Sequence, residues 1–128
     1  MKEKQSMNHK KMQLSLLLLV AFAGSAWATP PGVQTFTGEI TDTICARYKG
    51  HAHMMEELKS MGKEKKTCIK HCMEQLGASY VLYDEAKQTT YEITDQDKIA
   101  AFAGQKVRVS GTLQKNKKIE VTDIHRAD

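Results

Sequence analysis

The stretch AGQKVRVSGTLQKNKKIEVTDI, residues 103–124, decides the fold class of this chain. Val107 and Val109 alternate with polar residues, and Ile119 and Val121 do the same. A period of two residues is typical of a strand with one buried face. The polar tip QKNK separates the two alternating runs. The stretch therefore predicts two strands joined as a hairpin.

Three more strands are predicted upstream of this hairpin. The segment VQTFTGEITDT places Phe36, Gly38 and Ile40 on one face of a strand. Gly38 in mid-strand indicates a bulge or a sharp bend. The segments SYVLYD and TTYEIT flank the polar tip EAKQ and predict another hairpin. The segment DQDKIAAFAG predicts a short helix or turn that ends at Gly104.

The residues from 45 to 77 have a helical character instead. AHMMEELKSM is rich in helix formers and ends at Gly62, and the charged connector GKEKK follows. We expect Thr67 to cap a second helix, CIKHCMEQL, which Gly77 ends. The predicted apolar stripe of this helix consists of Cys68, Ile69, Cys72, Met73 and Leu76.

The order of elements is strand, helical insertion, two strands, short helix, two strands. Without the insertion, this is the order of the five-stranded OB-fold barrel. The predicted class is therefore mainly β with a helical insertion at about 45–77, forming an OB-like five-stranded small antiparallel barrel over residues 29–128. A small antiparallel sheet packed on helices is the alternative.

The first 28 residues have the pattern of a secretory signal peptide. Four lysines precede the apolar run LSLLLLVAFAG, and Ala26 and Ala28 form an A-x-A cleavage site. The run is short for a membrane span, which takes about 20 residues. We expect cleavage after Ala28, export to the periplasm or beyond the cell, and no membrane span in the mature chain. An uncleaved membrane anchor is the alternative.

The positive charge of the chain resides mostly in this leader. The whole chain has a formal charge of +4, and the leader contributes four lysines against one glutamate, which leaves +1 for the remainder. Nucleic-acid binders usually have a strongly basic face. Export and a near-neutral charge therefore argue against a nucleic-acid partner.

The chain resembles a group of small exported bacterial proteins with an OB-like barrel. The resemblance rests on TGEITDTIC, on the Cys-x-x-x-Cys pair of Cys68 and Cys72, and on GQKVRVSGTL. In that group the first cysteine is often followed by glycine and then a histidine, whereas Ala46 follows Cys45 here. Either His51 or His53 matches the histidine. The resemblance implies a fold and the place of a site, and no particular activity.

The three cysteines and their neighbours predict a metal site. Helical spacing suggests that Cys68, His71 and Cys72 project to one side, and Cys45 ends the first strand. The fourth ligand is His71, His51 or His53. Three cysteines with one histidine form an accepted zinc site. Thiolates with the thioethers of the nearby Met54 and Met55 suit Cu(I) at least as well.

Two other interpretations of the cysteines stay open. Cys45 paired with Cys68 or Cys72 would staple the insertion by a disulfide worth about 3 kcal/mol. The protein would then be a binding module whose barrel face recognises a peptide, a glycan or a periplasmic partner protein, with Tyr80, Tyr83 and Tyr91 on the relevant strands. The third interpretation is thiol–disulfide exchange, although the familiar motif is Cys-x-x-Cys. No catalytic motif is found, and we expect a non-catalytic protein.

Overall fold

The computed structural model describes residues 32–57 and 64–128. The predicted signal peptide and its cleavage site at Ala28 lie outside these residues, as do the end of the first predicted insertion helix at Gly62 and part of the GKEKK connector. The elements in chain order are β1 (Val33–Asp42), α1 (Thr43–Arg47), α2 (His51–Glu57), α3 (Lys65–Gln75), β2 (Tyr80–Asp84), β3 (Thr89–Ile93), α4 (Gln96–Ala100), β4 (Lys106–Gln114), a 3₁₀ turn (Lys115–Lys117) and β5 (Lys118–Arg126).

The five strands form one sheet that closes on itself, in the order β1-β2-β3-β5-β4. β1 closes the ring because it pairs with β2 along one edge and with β4 along the other. Four of the pairings are antiparallel, but β3 and β5 run parallel. The expectation of a purely antiparallel arrangement is therefore wrong for this pair, because the chain crosses over through α4 and β4 between them.

The predicted alternation of the strands is confirmed. Phe36, Ile40, Val107 and Ile119 point into the ring with at most 4% of their surface exposed. The core inside the ring consists of Phe36, Ile40, Leu82, Tyr91, Ile93, Ile99, Val107, Val109, Ile119 and Val121. Burial of its apolar side chains therefore fixes the position of β1. The last residue of this strand, Asp42, consequently lies at the start of the helical insertion.

Gly38 lies at the point where the pairing partner of β1 changes from β4 to β2. A Cβ atom at this position would lie 2.4 Å from the backbone oxygen of Tyr83 on β2. The predicted irregularity in strand pairing lies elsewhere, between Ser110 and Gly111 on β4. Gly38 is therefore required by the close approach of two backbones.

The insertion packs its own small core beside the ring. This core is made of Cys45, Met54, Cys68 and Cys72, which we call the sulfur cluster. None of the helices in the described ranges is long and apolar enough to cross a membrane. The insertion is thus a second layer of short helices whose own core consists mainly of sulfur-containing side chains.

Candidate metal centre

Asp42 positions the first cysteine. Its Oδ1 accepts hydrogen bonds from the backbone N–H groups of Ile44 at 2.8 Å and Cys45 at 3.0 Å, which caps α1. The other carboxylate oxygen, Oδ2, is buried and has no hydrogen-bond partner among the described residues. The cap therefore holds Cys45 while leaving one acidic oxygen uncommitted.

A tight turn then brings α2 back over Cys45. Lys49 and Gly50 have φ angles of 58° and 112°, and the N–H of Gly50 donates to the Cys45 carbonyl. Gly50 adopts its positive φ without the strain that a side chain would add, whereas Lys49 bears that strain. The turn places His51 and Met54 on the buried face of α2.

The other two cysteines come from α3. Cys68, Ile69 and Cys72 form the buried face of this helix. The helix begins at Lys65 after Glu64, so the predicted cap at Thr67 is wrong: Thr67 lies in the first turn and its hydroxyl donates to Glu64. Gly77 ends the helix as predicted, with φ of +64°. An ion pair between the Lys65 Nζ and the Glu39 carboxylate, at 2.6 Å, joins α3 to β1.

The predicted stripe of α3 is wrong at its C-terminal end. Leu76 is 53% exposed, because it is the C-cap and lies past the last packed turn. Met73 is only partly buried. The centre of the buried arc therefore lies at Cys68 and Cys72.

Six side chains converge between α1, α2 and α3. The ligand atoms of Cys45, His51 and Cys68 all lie within 4.8 Å of one another, and so do those of Asp42, Cys45 and Cys72. The Cys45 thiol also donates to the Met54 sulfur at 3.5 Å. Donors around one tetrahedral ion at about 2.3 Å lie about 3.8 Å apart. Small side-chain adjustments would thus bring these atoms onto a single ion.

Of the three histidines proposed as the fourth ligand, His51 lies in this group. It is 9% exposed, and neither of its ring nitrogens has a hydrogen-bond partner among the described residues. His53 is exposed, and its Nδ1 lies 3.7 Å from the Glu56 carboxylate. His71 is also exposed. In a helix, His71 lies 60° from Cys68 on the side away from Cys72, which turns it out of the cluster.

Two members of the group were not predicted as site residues. A search for cysteine and histidine ligands does not find Asp42. The spacing Asp-x-x-Cys at the end of a strand does indicate that the aspartate caps a following helix. The sequence offers Met54 and Met55 alike as nearby thioethers, and the contact with Cys45 sets Met54 apart from Met55, which is only partly buried. Neither assignment can be made without the fold that brings α2 against α1.

All three cysteines are free thiols and buried. Burial raises the pKa of each, and the nearby Asp42 carboxylate raises it further; the pKa of Cys72 reaches about 12. The metal-free cluster therefore holds neutral thiols near pH 7. A metal that binds there must displace their protons, as metals generally do at cysteine ligands.

The stability of the metal-free protein should consequently fall at high pH. Thiols of the unfolded chain ionise near pH 9.0, whereas the folded chain keeps its thiol protons to higher pH. The unfolding free energy is then constant below about pH 8 and decreases above pH 9, by up to about 1.4 kcal/mol per pH unit for each thiol. Urea unfolding under reductant, between pH 8 and pH 10, would measure the slope.

The variant Cys72→Ala provides the control for this slope. It removes one of the three thiols and leaves the lysines and tyrosines unchanged, so its stability should decrease less steeply with pH. Identical slopes for the two proteins would show that Cys72 does not hold a raised pKa in the folded state.

Comparisons of the chain with protein-family models, with curated proteins and with solved structures found no match. The resemblance to small exported proteins therefore stays a prediction. The function has to be argued from the chemistry of the site.

Proposed function

We propose that this chain is an exported, non-catalytic metal-binding protein that holds Cu(I) or Zn(II) in its helical insertion. The ligands would be Cys45, Cys68 and Cys72 with His51, and Asp42 and Met54 would border the ion. In this proposal the closed sheet is an OB-like barrel, because its strand order and its single parallel pair fit that fold.

The observation that carries the proposal is the set of uncommitted polar atoms among the three thiols. Both nitrogens of His51 and one oxygen of Asp42 are buried without a hydrogen-bond partner among the described residues. Such a group typically costs about 1–3 kcal/mol when left unsatisfied. An ion bound between the thiolates would take the His51 nitrogen as a ligand and offset this cost.

The sulfur cluster favours Cu(I) over Zn(II) within the proposal. Zn(II) accepts thiolate, imidazole and carboxylate ligands, whereas thioether is a soft ligand that selects Cu(I). The Met54 sulfur lies 3.5 Å from the Cys45 sulfur and is fully buried. Met54 can therefore approach an ion held by Cys45 without rearrangement of α2.

Native and denaturing mass spectrometry would test the proposal directly. Protein exported to the periplasm and purified without reductant should retain one copper or zinc ion in the native spectrum. After denaturation, all three thiols should react with an alkylating reagent. A native spectrum without metal, from protein purified in the presence of either ion, would overturn the proposal.

The same spectra test the first alternative function, and a separate assay tests the second. A mass two hydrogens light with one alkylatable thiol would indicate the disulfide-stapled binding module, in which Cys45 pairs with Cys68 or Cys72. That alternative is favoured by one observation, a pocket beside the insertion with a volume of about 700 Å³. Reduction of insulin by the purified protein would instead indicate thiol–disulfide exchange.

A further inference from the structure

The sulfur cluster is sealed from solvent. Cys45, Cys72, Met54 and Asp42 are fully buried, and Cys68 is 1% exposed. A metal ion arriving from bulk water therefore meets no exposed sulfur of this cluster. If the cluster holds a metal, a side chain beside it must connect it to the outside.

His51 is the most exposed of the six converging side chains, with 9% of its surface accessible, although both of its ring nitrogens are buried. It shares a potential ligand group with Cys45 and Cys68, and it also lines the pocket of about 700 Å³. Of the six side chains that converge between α1, α2 and α3, none of the other five lines this pocket in the described part of the chain. The imidazole thus stands in the wall between the pocket and the sulfur cluster, with two nitrogens that have no partner there.

The pocket is far larger than a bare ion needs. It lies over β1, the β2–β3 hairpin and the start of α2, and its volume falls within the usual range for small-molecule sites, about 300–1,000 Å³. Tyr83 lines the pocket, and its hydroxyl is buried. The pocket therefore has room for a small molecule, such as a carrier of the metal, in contact with Tyr83.

The charges around the pocket indicate the chemistry of the carrier. Lys65 is paired with Glu39, and Lys87 is paired with Asp84 at 3.1 Å. Lys106 and Glu85 also line the pocket, and neither makes an ion pair with any described residue. The Lys106 ammonium could therefore pair with a carboxylate of a ligand, and the Glu85 carboxylate with an amine of the same ligand. A carrier of Cu(I) also needs a soft donor such as a thiol.

We propose that the pocket binds a small zwitterionic thiol that carries Cu(I), and that His51 passes the metal into the sulfur cluster. This inference rests on the proposed function. The copper–sulfur bond to the carrier breaks as a bond to a His51 nitrogen forms, after the side chain turns toward the pocket. A cysteine sulfur of the cluster then binds the same ion while His51 stays bound. The proton of the cysteine goes to the departing thiolate of the carrier. Copper stays Cu(I) throughout, so no electron acceptor is required.

Stopped-flow transfer of Cu(I) from its glutathione complex, without oxygen, would test this route in protein made from the full sequence. The variant Ala86→Trp fills the pocket from the exposed tip of the β2–β3 hairpin. It should lower the second-order rate constant of copper uptake at least tenfold and leave the copper bound at equilibrium unchanged. The matched control is Ala101→Trp, at an exposed alanine that does not line the pocket. It should change neither quantity.

The outcomes separate this inference from the proposed function. Copper uptake by Ala86→Trp at the rate of the unmodified protein would overturn the pocket as a route, while the metal site would stand. No copper uptake by the unmodified protein would overturn this inference and would leave Zn(II) as the ion of the proposed site. If circular dichroism shows that Ala86→Trp is misfolded, Ala52→Trp on α2 fills the same pocket and carries the same expectation.

Discussion

Replacement of Cys72 by serine is expected to lower the affinity for Cu(I) by at least about a hundredfold. Loss of an outer contact around a metal typically costs about 10–100-fold, and loss of a ligand costs more. Cys72 is fully buried and its sulfur lies in one ligand group with Asp42 and Cys45. A serine hydroxyl is a hard donor that does not replace thiolate toward a soft ion. Competition against a chromophoric Cu(I) chelator would measure the difference.

The neighbouring residue supplies the matched control for this experiment. His71 lies on the same helix and was predicted as a ligand, but it is exposed. His71→Ala should therefore keep the affinity within about twofold, whereas a ligand would cost much more. Equal affinities of Cys72→Ser and His71→Ala would show that Cys72 is not a ligand.

The same pair of variants tests whether metal stabilises the insertion. The insertion has four buried sulfur-containing side chains as its core. A metal bound only by the folded state adds its binding free energy to that state. With copper present, amide exchange in α3 should be slower in the unmodified protein and in His71→Ala than in Cys72→Ser. Equal exchange in all three would contradict a stabilising metal.

The strands were predictable because each has one buried face. The alternation of apolar and polar residues around Val107 and Ile119 follows from that one-sided burial. The polar hairpin tips mark where the strands end. The sequence pattern does not determine how the strands close. The parallel pairing of β3 with β5 depends on contacts between residues 26 positions apart, such as Ile93 with Ile119.

The candidate site was predictable in its cysteines and less so in its other members. Three cysteines near one another in an otherwise ordinary composition are conspicuous. The choice among His51, His53 and His71 depends on a rotation of 100° per residue, which a short helix with uncertain ends does not fix. Asp42 is recognised only once the end of β1 is seen to be the cap of α1. That the second carboxylate oxygen of Asp42 has no hydrogen-bond partner among the described residues can be seen only in the folded structure.

The second large effect is expected at Gly38. The variant Gly38→Ala should lower the unfolding free energy by about 3 kcal/mol, the upper end of the usual cost of overpacking. Its new Cβ would meet the Tyr83 backbone oxygen at 2.4 Å and the Tyr83 carbonyl carbon at 2.8 Å, and neither atom belongs to a flexible side chain. To relieve the contact, β1 and β2 must separate, and the same movement would widen the pocket wall at Tyr83. For a domain of this size the melting temperature should fall by roughly 10 °C or more.

A second glycine distinguishes this steric effect from a general intolerance of substitution. Gly77 has φ of +64°, and a Cβ there would have nothing within 4 Å. Gly77→Asn should cost less than about 1 kcal/mol, because asparagine adopts the left-handed conformation at helix ends. Thermal and urea unfolding of the two metal-free variants would be compared under reductant. If Gly38→Ala melts as high as Gly77→Asn, the two backbones are not in close contact at Gly38, and the closure of the sheet at β1 is incorrect.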